Sequence, residues 1–200
     1  MDITTTADDR GVLARATRNQ QTAWSIIARL GICELWHSIG AELHIVGSLR
    51  TGLLMAHRDI DIHIYSERID VEQDFALMGR LAARRDVLSI TYVNGLQGIE
   101  QCLEWHCRVL DADVEWTIDM IHIVRGLRYD GYFERVADRL TAVLTPETRE
   151  TILRLKDEMG GGIPGIAFCQ AVIRDGIQTR EAFESWLKRN PLEGIVEWMP

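Results

Sequence analysis

Apolar residues at helical spacing, Trp24, Ile26, Ile27, Leu30, Leu35 and Trp36, mark residues 7–38 as helical. Thr6 is the expected N-cap, and Gly31 the break between two helices. The apolar run Leu43 to Val46 then ends at Gly47-Ser48, which opens a short helix. In Asp59 to Tyr65 the odd positions are Asp, Asp, His and Tyr and the even ones Ile, the period-two pattern of a strand with one apolar and one open face. A helix near Val71 to Arg84 leads to a strand at Leu88 to Val93, closed by Asn94-Gly95. Leu103 to Leu110 alternates again, with Leu103, Trp105, Cys107 and Val109 inward and Glu104, His106 and Arg108 on the other face. From Asp113 to Val124 the apolar set is Val114, Trp116, Ile118, Met120 and Val124, and His122 falls on that face as a core histidine. After Gly126 the pattern is helical only. Thr145-Pro146 is an N-cap with Pro at the first helical position, Gly160 to Gly165 is either a plain connection between helices or a hinge or pocket wall, with the connection preferred, and Pro164 and Thr179 open two more short helices whose Phe168, Phe183 and Trp186 belong to a core.

The chemistry concentrates between residues 45 and 61. Gly47 and Ser48, at the start of a helix, aim backbone amides and a hydroxyl at an anion, and Gly52 permits a bend where a side chain would intrude. Asp59 and Asp61 project from one strand face, and two carboxylates held side by side repel unless a divalent cation joins them; their hard oxygens suit Mg²⁺ or Mn²⁺. A D-x-D triplet alone is weak evidence, since Asp111-Ala112-Asp113 is another and has the look of a hairpin tip. His63 shares the parity of Asp59 and Asp61, as a contact to phosphate or metal or simply as their polar neighbour.

An apolar strand, Gly47-Ser48, Gly52 four residues after the Ser, and Asp59-x-Asp61 starting twelve residues after the first Gly resemble the motif of the nucleotidyltransferase superfamily, which includes DNA polymerase beta and the aminoglycoside nucleotidyltransferases. The resemblance covers residues 40 to 125. It departs at Arg58, where the family often has Ser, a change that bears on phosphate contacts. It implies an α+β fold: a mixed twisted sheet with helices on one face and the metal site on the other, in a core of residues 1–126 with its N-terminal helix, then a C-terminal helical region of residues 127–200. It also implies a third carboxylate on a neighbouring strand. Asp119 is the candidate by face, since a charge in mid-strand is costly without a partner, and Glu115 is the fallback.

Composition narrows the substrate. The chain has 200 residues, 46% hydrophobic content and six Trp, enough for one substantial core and a helical annex. A net charge of −8 without a Lys/Arg-rich run argues against a long nucleic-acid track. No apolar run approaches a membrane span, the N-terminus lacks the basic and apolar regions of a signal peptide, and a cytoplasmic location is expected. Cys33, Cys102, Cys107 and Cys169 form no C-x-x-C, so neither a zinc site nor a disulfide framework is indicated.

What the resemblance implies is transfer of a nucleotidyl group. Asp59, Asp61 and Asp119 would hold Mg²⁺ or Mn²⁺, Gly47, Ser48 and Arg58 the phosphates of an NTP, ATP first, and the acceptor would be a hydroxyl on a small molecule or a protein, with nucleic acid disfavoured. The competing class is a nucleotide-binding or partner-binding regulatory protein of the same fold without turnover. A cleft open in front of the carboxylates favours the enzyme; one filled by the C-terminal helices favours the binding protein.

Overall fold

The computed structural model describes residues 7–192 and 194–200, with side chains from residue 11 onward; Thr6, the expected first N-cap, lies outside the described residues. In chain order the elements are α1 (Ala7–Leu30), α2 (Ile32–His37), β1 (Glu42–Ile45), α3 (Gly47–Thr51), β2 (Asp59–Ser66), α4 (Val71–Ala82), β3 (Val87–Asn94), β4 (Cys102–Asp111), β5 (Val114–Val124), α5 (Tyr132–Val143), α6 (Pro146–Met159), α7 (Gly165–Cys169), a π turn at Gln170–Arg174, and α8 (Arg180–Arg189). The expected breaks hold at residue level. Gly31 takes φ +66 between α1 and α2. Thr145 and Thr148 form a reciprocal capping box ahead of Pro146. Ala112 and Asp113 both have positive φ at the two-residue turn from β4 to β5, so the second D-x-D is a hairpin tip.

The five strands form one mixed sheet in the order β1-β2-β5-β4-β3, with β2 and β5 parallel and the other neighbours antiparallel. Ile60, Ile62 and Ile64 of β2, Trp105, Cys107 and Val109 of β4, and Trp116, Ile118 and Met120 of β5 all face the C-terminal half of α1, α2 and α4, and there form the main core. His122 lies on this face as expected. It is 1% exposed, with Nδ1 2.7 Å from Asp74 Oδ2 on α4 and Nε2 2.6 Å from Ser66 Oγ. A second core joins Val12 and Ala16 of α1 to α5, α6, α7 and α8, where Phe168, Phe183 and Trp186 are buried in stacked rings. One long helix thus spans both cores.

The opposite sheet face carries the motif, and it is less open than the alternation suggests. His63 and Tyr65 are buried beneath α5: the His63 ring stands edge-on to Phe133 at 5.0 Å, and Tyr65 donates its hydroxyl to Glu134 at 2.9 Å. Burial pushes His63 down to about 4, so it is a neutral packed side chain, with Nδ1 3.9 Å from the Glu134 carboxylate of α5. Period two gives the parity of a strand correctly but cannot say what covers each face. The beginning of β2, at Asp59 and Asp61, faces the cavities beside Ser48, while His63 borders a separate one with Glu104 and Phe133.

Candidate functional site

β1 runs into α3 through Gly47, and α3 leans on the start of β2. Gly47 takes φ +60, and a Cβ there would lie 2.1 Å from Asp61 Oδ2. No other residue allows α3 to seat this closely on the carboxylate. The Ser48 backbone amide donates to Asp61. Asp61 is directly opposite Asp119 on the parallel partner strand, and Asp59 is two residues away on the same face. Parallel neighbours lie roughly 4.8 Å apart, so like charges crowd here. Burial, then Asp119 and Asp59, raise Asp61 to about 7; Lys156 and the Ser48 amide pull the other way without cancelling them.

The outer carboxylates are each held by a histidine. His57 Nδ1 lies 2.6 Å from Asp59 Oδ2, and His106, opposite Asp119 in register, has Nδ1 2.7 Å from Asp119 Oδ1 and Nε2 3.2 Å from Glu104. Turned toward these partners, the three aspartates do not converge on one point. Among the described residues the one trio of ligand atoms within 4.8 Å of each other is Glu100, Cys102 and Glu104, further along the same face. There the Cys102 thiol is pushed up to about 12 by burial and the two carboxylates, so it is protonated. The fallback Glu115 is taken by Arg108, bidentate at 2.5 and 2.7 Å.

The cation nearest the carboxylates comes from a helix remote in sequence. Lys156 of α6 is 6% exposed; its ammonium donates to Ser48 Oγ and to the Leu53 carbonyl, each at 2.8 Å. Desolvation lowers its pKa, while Cys169, Asp61 and Asp59 oppose the shift. Sequence reading passed it over, and a signal was there: Lys156 follows Ile152 by four residues and Leu153 by three, so a cation sits on the apolar face of an amphipathic helix. Among the arginines near the motif, Arg50 is paired with Asp138 and Arg108 with Glu115. Arg58 is exposed and borders a shallow depression with Glu115, Thr117 and Gly161, away from Ser48.

Two cavities meet at Ser48, Asp61 and Lys156. One, about 430 Å³, is bounded by His57, Asp59, Gly160, Gly162 and Pro164. The other, about 300 Å³, has apolar walls that include Tyr132, Phe133, Val136, Ile166 and Val196. The expected connection at residues 160–162 is therefore also a wall of the cleft. The donor set suits a hard divalent cation in its chemistry: Asp59, Asp61 and Asp119 offer carboxylate oxygens, and Asp61 stays crowded by the other two despite Lys156.

No family model matches the chain, and no curated protein matches it. Solved structures do. The noncanonical poly(A) polymerase complex GLD-2 with GLD-3 is similar with a TM-score of 0.55 at 13% identity, over 96% of this chain and 60% of that one. The GLD-2/RNP-8 complex gives 0.55 at 12%, over 92% and 74%. The Cid1 poly(U) polymerase gives 0.54 at 10%, over 84% and 55%. The chain spans 60% of the first of these and just over half of the last. The chain shares the fold of these polymerases, a mixed sheet of the nucleotidyltransferase-like kind with helices packed on it. Among the described residues no helix is long and apolar enough to cross a membrane.

Proposed function

We propose that the protein is a divalent-metal-dependent nucleotidyltransferase that moves an NMP group from an NTP, ATP first, to an acceptor hydroxyl. The observation that carries this reading is the seating of side-chain-free Gly47 on a half-buried Asp61 that stands in register with Asp119. Asp59, Asp61 and Asp119 would hold Mg²⁺ or Mn²⁺, which when bound would offset phosphate charge and make the acceptor hydroxyl more acidic. Ser48 and Lys156 hold the outgoing phosphates from the cavity wall. The acceptor oxygen attacks the α-phosphorus, the bond to the β-phosphate oxygen breaks, and pyrophosphate leaves. The Asp119 oxygen not engaged by His106 receives the hydroxyl proton. Arg58 serves at most the outer edge of the triphosphate, given its exposed position.

Turnover is favoured over a binding-only role because cavities remain between the carboxylates and the C-terminal helices. For the acceptor, a small molecule or protein hydroxyl fits a chain at −8 whose Arg50 and Arg108 are already paired with carboxylates. RNA is the second reading, favoured by the likeness to polymerases whose names specify poly(A) and poly(U). Incubation with each labelled NTP, Mg²⁺ and either a metabolite pool or an RNA oligomer, followed by mass spectrometry of adducts, separates the two. A mass increase of one NMP on a metabolite or protein supports the first, and a lengthened oligomer the second.

A further inference from the structure

The turn joining α6 to α7 is linked to the carboxylate site by the side chain of His57. His57 lies between them: the Gly162 backbone N–H donates to Nε2 at 2.6 Å, and Nδ1 faces Asp59 Oδ2 at 2.6 Å. Because Nε2 accepts from a backbone amide, Nδ1 is the nitrogen left to donate to the carboxylate. The ring is therefore a rigid spacer with both ends engaged. The glycines permit this approach. Gly160 and Gly162 have positive φ, and a Cβ on Gly161 would lie 2.7 Å from His57 Nε2. The same turn walls the 430 Å³ cavity opposite Ser48 and Asp61, and it starts four residues after Lys156. One stretch of chain thus brings the buried cation to the cleft, closes one side of it, and fixes the orientation of a carboxylate.

We infer that His57 is a positioning residue that ties the glycine turn at residues 160–162 to Asp59, so that docking of the turn sets the orientation of the first cation-binding carboxylate. The inference rests on the nucleotidyl-transfer reading, in which Asp59 is a ligand. With Oδ2 committed to His57, Oδ1 is the oxygen left free of the ring for a cation. A ligating carboxylate held by an outer hydrogen bond loses about tenfold or more in metal affinity when that partner is removed. A Cβ on Gly161 would meet the His57 ring first, 2.7 Å from Nε2, so a change there reaches Asp59 through the ring.

The test uses the full chain and Mn²⁺ alone as probe, followed by electron paramagnetic resonance, together with amide hydrogen exchange of the segment 159–165. His57→Ala and Gly161→Ala are each expected to weaken Mn²⁺ binding by about tenfold and to speed exchange of that segment, with the rest of the chain unchanged. His57→Gln, which has a donor and an acceptor on one terminal amide, should restore most of both. In turnover with MgATP, the same two alanine variants should lower kcat more than they raise KM, because Lys156 and Ser48 are untouched. Wild-type Mn²⁺ affinity in Gly161→Ala, or a loosened turn with unaltered affinity in His57→Ala, overturns the inference alone. Failure of the wild type to bind Mn²⁺ at all overturns the nucleotidyl-transfer reading beneath it.

Discussion

At the scale of single residues, the site depends on one missing side chain and one buried cation. Gly47→Ala places a methyl group where Asp61 Oδ2 now lies and forces φ +60 on a residue with a Cβ. Strain of this kind costs on the order of 1–3 kcal/mol, and chemical denaturation should register it alongside loss of Mg²⁺-dependent nucleotide binding. Lys156→Met keeps the volume of the side chain but removes the donors to Ser48 Oγ and the Leu53 carbonyl. Its fold should survive, and its KM for NTP should rise by roughly a factor of ten or more, as expected when a charge-assisted hydrogen bond of about 1.5–3 kcal/mol is lost. An unchanged KM would remove Lys156 from the phosphate site. Gly47, Ser48, Asp59 and Asp61 were legible in the sequence because local spacing dictates their geometry. The partners of Lys156 and His57 were not: Lys156 meets Ser48 across 108 residues, and His57 meets Gly162 across 105, contacts that only tertiary packing creates.

At the scale of elements, parity decided which side chains share a face, and it decided correctly for Asp59, Asp61, Asp119 and His106. It said nothing about α5, which descends on the far half of β2 and turns His63 and Tyr65 into packed residues. The strongest polar fastening between α4 and the sheet is the fully buried contact of Asp74 with His122, to which the Trp105 indole adds a long 3.5 Å donation. Asp74 Oδ1 has no partner there. Asp74→Ala should destabilise the protein by about 3–5 kcal/mol, the range for breaking a buried pair and stranding one member. Urea denaturation of that variant and of Asp74→Leu/His122→Phe checks the cause: the apolar double variant should lose less than the two single losses added together. Nearly additive losses would mean that packing, and not the polar pair, holds α4 in place.

At the scale of the whole molecule, the two cores share α1, and the cleft lies where they meet, with carboxylates from the sheet on one side and Lys156 from α6 on the other. The fold class followed from the alternation of strands and helices together with the Gly-Ser and D-x-D spacing, whereas the packing of the C-terminal helices against the motif face did not. A net charge of −8 disfavours a polynucleotide track, so filter binding of RNA at low salt should be weak. Tight, steeply salt-dependent retention would instead move the acceptor to RNA. The central claim is tested most directly by pyrophosphate release from each NTP in the presence of Mg²⁺ and a metabolite extract, comparing the wild type with Asp61→Asn. The account predicts Mg²⁺-dependent release by the wild type and its loss by at least about two orders of magnitude (~2.7 kcal/mol) in Asp61→Asn, with a melting temperature equal to or above that of the wild type without metal, since one of three crowded carboxylates is gone. Equal release by the two proteins, or release that ignores Mg²⁺, would contradict it.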